Sequence, residues 1–184
     1  MEIKIGTSQI LKALYILSWI IFIGLCIDAG GFIFNTLYSL FISDKNVGHF
    51  WNYLDFSALY AFSTSSYITQ VVLICIVAVL KAILFYCIVK ILYDKKVNVE
   101  QPFTESVQKF LMSVVYLSFG IGLFSAWGAS QSGKLSLNGV SLPTLEMMKL
   151  DGAGVWFFMG ATLLVIAILF KRGIEMQQEN ELTI

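Results

Sequence analysis

Charged side chains make up only 13% of this sequence, against roughly 25% in a typical soluble domain, while 58% of its residues are hydrophobic. So little charge over so much apolar surface excludes a water-soluble globule. Formal net charge is zero, which removes any global field that would draw a polyanion, so direct nucleic-acid binding is not expected. The single histidine, His49, has Asp44 and Asp55 near it in sequence but no set of Cys, Asp or Glu at ligand spacing, and it makes poor material for a zinc site or a triad. All three cysteines, Cys26, Cys75 and Cys87, fall in apolar stretches; an odd number at membrane depth is not a disulfide framework, and they read as small packing residues. A phosphate loop, a Gly-x-Ser-x-Gly elbow, a His-Glu-x-x-His helix, a glycosylation sequon and a lipidation signal are all missing from the sequence. No catalytic residue, metal or cofactor is therefore expected, and the chain reads as non-enzymatic.

What the sequence has in quantity is long apolar runs. Residues 110–133 and 152–170 carry no charge, 13–27 continue past a lone Asp28 into an uncharged run ending at Ser43, and 71–89 are interrupted only by Lys81. A hydrocarbon core about 30 Å thick needs roughly 20 helical residues at about 1.5 Å each, so the chain predicts four crossings. The spans are placed at about 10–31, 67–91, 108–129 and 153–170 in a single domain, an all-α antiparallel four-helix transmembrane bundle. The first run is too long for the apolar part of a signal peptide and ends in Asp28-Ala29-Gly30-Gly31 without a small-x-small site, so it is expected to be retained. Lys4, Lys12, Lys90, Lys95, Lys96, Lys109, Lys171 and Arg172 fall on one side of this arrangement and only Lys45, Lys134 and Lys149 on the other. That asymmetry places both termini and the central loop in the cytoplasm.

Local signals refine the picture. Residues 32–42 either extend the first helix or lie along the interface, with a bend at the Gly30-Gly31 pair. The external segment holds Phe50, Trp51, Tyr53, Phe56, Tyr60 and Phe62, an aromatic belt expected to rest at headgroup level. Ser63-Thr64-Ser65-Ser66 supplies an N-cap for the second span; Pro102 stops helix, Thr104 caps the third and Glu105 suits its first turn. Residues 135–142 alternate around Asn138-Gly139, whose tolerance of positive φ predicts a small external β-hairpin.

Asp28 and Lys81 are the ionisable groups within spans, where a charge is costly and faces a partner or a water-filled cavity. Counted from the inner boundaries, Asp28 sits about 10 Å farther out than Lys81, which argues against a direct salt bridge. Ser18, Trp19, Tyr116 and Ser118 are the expected neighbours of Lys81, and Asp28, Lys81, Ser18 and Tyr116 form the candidate intramembrane polar site.

The polar tail, residues 171–184, starts with a Lys171-Arg172-Gly173 anchor and closes with Glu179-Asn180-Glu181-Leu182-Thr183-Ile184. Together with Pro102-Phe103-Thr104 before the third span, these motifs give the chain its most distinctive feature: it resembles the bacterial membrane proteins of the domain of unknown function 2975 family, with Glu181 standing where Asp is usual. The resemblance carries no chemistry. It implies a four-helix layout and a genomic association with a small helix-turn-helix transcription regulator. On that basis the chain is expected to be a sensing or regulatory component of a bacterial cytoplasmic membrane, in contact with the lipid bilayer and such a regulator. Lys95, Lys96, Phe103, Glu175, Glu179, Asn180, Leu182 and Ile184 form the candidate partner surface. A small transporter or channel subunit using Lys81 and Asp28 is the alternative, and oligomerisation is left open.

Overall fold

Two prolines in 184 residues leave little to interrupt a helix, and the helices run long. The computed structural model describes residues 7–94 and 103–181, with side chains for 9–94 and 103–179. The long helices are α1 (Thr7–Phe41), α3 (Thr64–Tyr93), α4 (Glu105–Leu137) and α5 (Ala153–Glu181), with a short α2 (Ser57–Phe62) between the first two. All four long helices are apolar enough to cross a bilayer, which makes this a multi-pass membrane protein.

They pack as a row. α1 lies against α3, α3 against α4 and α4 against α5, while α1 and α5 share no substantial interface. The two outermost helices therefore leave most of their sides to lipid. Phe103 packs on Phe170 at the basic end, where α4 begins and α5 leaves its apolar run. Toward the other end all four helices overlap only as far as the start of α5. The stretch of α5 within this overlap, 153–170, is about 27 Å long and matches a hydrocarbon core.

Beyond that level α1, α3 and α4 continue and, with the two connecting loops folded onto them, build a cap. This cap holds most of the core: Phe32, Leu54, Phe56, Leu59, Tyr67, Val71, Val77, Met148 and Leu150 are all fully buried there. Its aromatic rings interlock, Phe32 stacking on Phe50, Phe50 meeting Phe56 edge-on, and Phe56 and Tyr60 both meeting Tyr67 edge-on. The Tyr67 hydroxyl donates to Ser39 Oγ at 2.7 Å, so the largest of these side chains is buried with its polar atom satisfied. The aromatic segment is thus largely drawn into the protein interior, where sequence placed it on the membrane surface; only Tyr53 and Phe62 lie exposed.

α1 is helical through Gly30-Gly31 and on to Phe41, so residues 32–41 extend the first helix. Gly31 serves a different end: a Cβ there would stand 2.1 Å from the Trp51 ring, so its bare backbone is what lets the first loop fold back along α1.

The expected β-hairpin at 135–142 is absent, and the described residues contain no strand, only an isolated bridge between Phe50 and Leu54. Asn138-Gly139 instead closes α4. Gly139 takes φ 81°, its N–H donates to Ser136 O at 3.0 Å, and the Val140 N–H donates to Leu135 O at 3.1 Å. This pair of bonds is the Schellman motif, and Leu135 and Val140 are both buried, as its hydrophobic contact requires. Positive φ at glycine suits a type I′ turn and a helix C-terminus alike. The helix took the dipeptide because α4 runs on to Leu137, well past the membrane boundary. The other caps follow the sequence: Ser63 Oγ accepts from Ser66 N at 3.2 Å to start α3, and Thr104 Oγ1 accepts from Val107 N at 3.4 Å to start α4.

Candidate functional site

At the floor of the cap, where α5 begins, the two loops meet the helices through a small polar cluster. Asp28 on α1 is its hub. One carboxylate oxygen accepts from Trp51 Nε1 and from Asn52 Nδ2, each at 3.2 Å, and the other lies 3.9 Å from Lys149 Nζ. Lys81 on α3 donates to the Lys149 carbonyl oxygen at 2.9 Å, and its ammonium stands 5.7 Å from the centre of the Trp156 ring on α5, within cation–π range. One lysine thus serves both sides, its carbonyl facing Lys81 and its side chain facing Asp28.

The backbone that makes this possible is strained. Residues 144–150 form a single helical turn: Thr144 Oγ1 accepts from Met147 N at 3.3 Å, Lys149 N donates to Glu146 O at 3.0 Å and Leu150 N to Leu145 O at 2.9 Å. Lys149 takes the left-handed position at φ 58°. A non-glycine residue there costs about 1 to 2 kcal/mol. Burial of Leu150, which rests against the bare backbone of Gly128, offsets that cost.

Sequence separated Asp28 and Lys81 in depth, and the helix register brings them to one level. Tyr15 stacks with Tyr93, Phe22 meets Tyr86 and Thr36 reaches Cys75, so α1 and α3 run in step and Asp28 falls opposite the turn that carries Lys81. They do not pair directly; Lys149 stands between them. The other expected neighbours are not the partners of Lys81. The Ser18 hydroxyl donates to Leu14 O on its own helix, that of Ser118 to Val114 O, and Tyr116 is exposed on α4. Trp51, Asn52, Lys149 and Trp156 were missed, because only the fold of both loops onto the helices places the first three here and only the packing of the helices places Trp156. Lys149, just before Asp151-Gly152 and the uncharged start of α5, carried the one legible hint, a basic residue at a span boundary.

At the opposite, basic end Phe103 lies against α5, and a Cβ on Gly173 would stand 2.6 Å from its ring. Glu175 pairs with Arg172 at 3.1 Å, and Glu179 lies on the same continuing helix. The helix includes Asn180, of whose side chain nothing is described, while Lys95, Lys96, Leu182 and Ile184 lie outside the described residues. Among the described residues no group of His, Cys, Asp and Glu could hold a metal.

The two motifs behind the family resemblance therefore touch: Phe103 of Pro102-Phe103-Thr104 packs on Gly173 of Lys171-Arg172-Gly173. A family model described as Protein of unknown function (DUF2975) matches residues 48–184. The chain belongs to this family. For the DUF2975 region the match takes in the first loop from Gly48 onward, the second loop, α3, α4 and α5, hence Trp51, Lys81, Lys149 and Trp156, while Asp28 on α1 lies before it. Comparison with curated proteins and with solved structures gives no match.

Proposed function

We propose that this protein is a non-enzymatic sensing or regulatory component of a bacterial cytoplasmic membrane, oriented with its basic end in the cytoplasm, where it engages a small helix-turn-helix regulator. The observation that carries this reading is the continuity of α5. One helix of 29 residues, about 43 Å, runs without a break from Trp156 beside the Lys81 ammonium to the acidic, amide-rich tail. A change in how the cap seats Lys81 and Trp156 would move the far end of the same rigid rod, and Phe103 against Gly173 is the point where that motion would reach the central loop. The basic residues collected at this end support its cytoplasmic placement.

A transport reading through Lys81 would need a hydrated path toward the basic end. Ser18 and Ser118, the hydroxyls expected from sequence beside Lys81, bond to their own helices instead.

The test is affinity capture of the tagged protein from its native membrane. The intact protein is expected to retain a DNA-binding regulator, and removal of residues 182–184 is expected to lose it with membrane insertion unchanged. Capture of the same regulator by the truncated chain, or of none by the intact one, would refute the coupling. Lys81→Leu is expected to insert normally and to shift the regulator's output; wild-type output from that variant would remove Lys81 from the signal path.

A further inference from the structure

A second site lies at the basic end, apart from the polar cluster and from the tail contact. Between the last turns of α3 and the first turns of α4 opens a cavity of about 260 Å³. Its polar wall carries Lys90 and Lys109 with Ser106 and Ser113, and Ile91 and Phe110 give it apolar surface. Cys87 and Asp94 complete the lining. Two cations line one cavity here, at the ends of two membrane-crossing helices.

Neither cation is firmly committed. Lys90 has no carboxylate within ion-pair distance among the described residues. Lys109 pairs with Glu105 one helical turn away, at 3.0 Å, and both side chains are about 70% exposed. An exposed pair of this kind is worth only about 0.3 to 0.5 kcal/mol and yields readily to a stronger anion. Ser106 makes no hydrogen bond among the described residues, so its hydroxyl can donate outward. The two ammonium groups are the cations of the lining, so the anion belongs between Lys90 and Lys109. The depth is that of a headgroup, since both lysines end apolar helical stretches, and the Ile91 and Phe110 surface suits the glycerol and first methylenes of an acyl chain.

We infer that this cavity binds the phosphodiester of an anionic glycerophospholipid from the surrounding bilayer, held between Lys90 and Lys109 with a hydrogen bond from Ser106. Charge complementarity, a position between the ends of two membrane-crossing helices and a mixed polar and apolar wall agree on that occupant, and basic pockets between transmembrane helices bind lipid headgroups for these reasons. The site does not depend on any regulator or on Lys81.

Native mass spectrometry of the full chain, extracted in mild detergent and titrated with phosphatidylglycerol or phosphatidylcholine, tests it. Phosphatidylglycerol is expected to bind at least 10-fold more tightly than phosphatidylcholine. The double variant Lys90→Gln, Lys109→Gln is expected to lose that preference, the double variant Lys90→Arg, Lys109→Arg to keep it, and Lys45→Gln with Lys134→Gln at the capped end to leave it unchanged. Each variant is first checked for wild-type helicity and elution; if the double glutamine variant does not fold, Ser106→Ala with Lys90→Gln replaces it and is expected to weaken the preference at least 3-fold. Undiminished preference in the folded glutamine variant, or equal binding of the two lipids by the wild type, would overturn the site. Displacement of bound phosphatidylglycerol by millimolar inorganic phosphate would overturn the lipid as the occupant and assign the site to soluble phosphate.

Discussion

The capped half and the lipid-embedded half of this protein are held together by different physics. In the cap, long-range hydrogen bonds tie separate elements: Gln70 donates to Ser132 at 2.9 Å, Gln131 to the Ser66 carbonyl at 3.3 Å, Tyr67 to Ser39, and Asn46 to Asn35 at 2.6 Å. Nearer the basic end the hydroxyls of Ser18, Ser113 and Ser118 each return to the carbonyl four residues back on their own helix. A hydroxyl spent on its own helix pins nothing to its neighbour. Water drives apolar burial in the cap, whereas lipid is as apolar as leucine and leaves the helices below to shape and dispersion. The cap is thus the part in which polar bonds tie the elements to one another.

The sharpest way to break that contrast is to truncate one apolar side chain in each half. Phe56→Ala, in the middle of the aromatic core, is expected to cost about 3 to 5 kcal/mol, while Ile20→Ala, 64% exposed on α1, is expected to change stability by less than about 0.5 kcal/mol. Thermal unfolding in one detergent measures both, and equal losses would erase the distinction. Gly31→Ala comes next. Its methyl group must displace the Trp51 ring, so a loss of about 1 to 3 kcal/mol and a shifted tryptophan emission are expected. Gly24→Ala meets nothing within 4 Å and is expected to be neutral or slightly stabilising. Asp28→Asn leaves an acceptor for Trp51 and Asn52 but removes the ion pair to Lys149, which at this exposure is worth about 0.2 to 1 kcal/mol. A larger loss would mean that Asp28 organises both loops chiefly through its charge.

The smallest expected effect is one of pH. Ser57, through its side chain and its backbone N–H at 2.8 Å, holds the Asp55 carboxyl below the usual carboxylate range. A depressed folded pKa stabilises the fold above the unfolded value near 3.8 and loses that contribution as pH falls through the lower folded value. The protection factors of the amides at the start of α2, corrected for intrinsic exchange, are therefore expected to fall below about pH 4, with that fall removed in Asp55→Asn. Loss of protection already near pH 6 would point to a different group.

What sequence revealed and what it concealed divide along the same line. Apolar length gave the four long helices, and local chemistry gave the caps at Ser63 and Thr104, because each needs only residues a few positions apart. Depth was misjudged for Asp28 and Lys81 because it was counted from assumed boundaries, while register is set by pairs such as Tyr15 with Tyr93 that no local rule relates. Asn138-Gly139 was misread because two turn types ask the same of glycine. Phe50 and Phe56 were sent to the interface because an aromatic suits an interface and a core equally, and only the fold of the loop decides. That the two family-like motifs meet at Phe103 and Gly173 was invisible for the same reason.

The row arrangement also bears on the bilayer itself. On α1, the first edge, exposed apolar side chains run from Ile10 to Phe41, about 46 Å of helix; on α5, the other edge, they run from Val155 to Leu169 before the charged turn, about 21 Å. A flat bilayer that matches α5 leaves the exposed apolar side chains of α1 from Ile33 to Phe41 beyond its edge. Lipid must climb on the α1 flank, or the whole molecule must lean, at a cost of fractions of a kcal/mol per ångström of mismatch. The protein is a tapered insert, and a membrane that holds it is pressed toward a local slope.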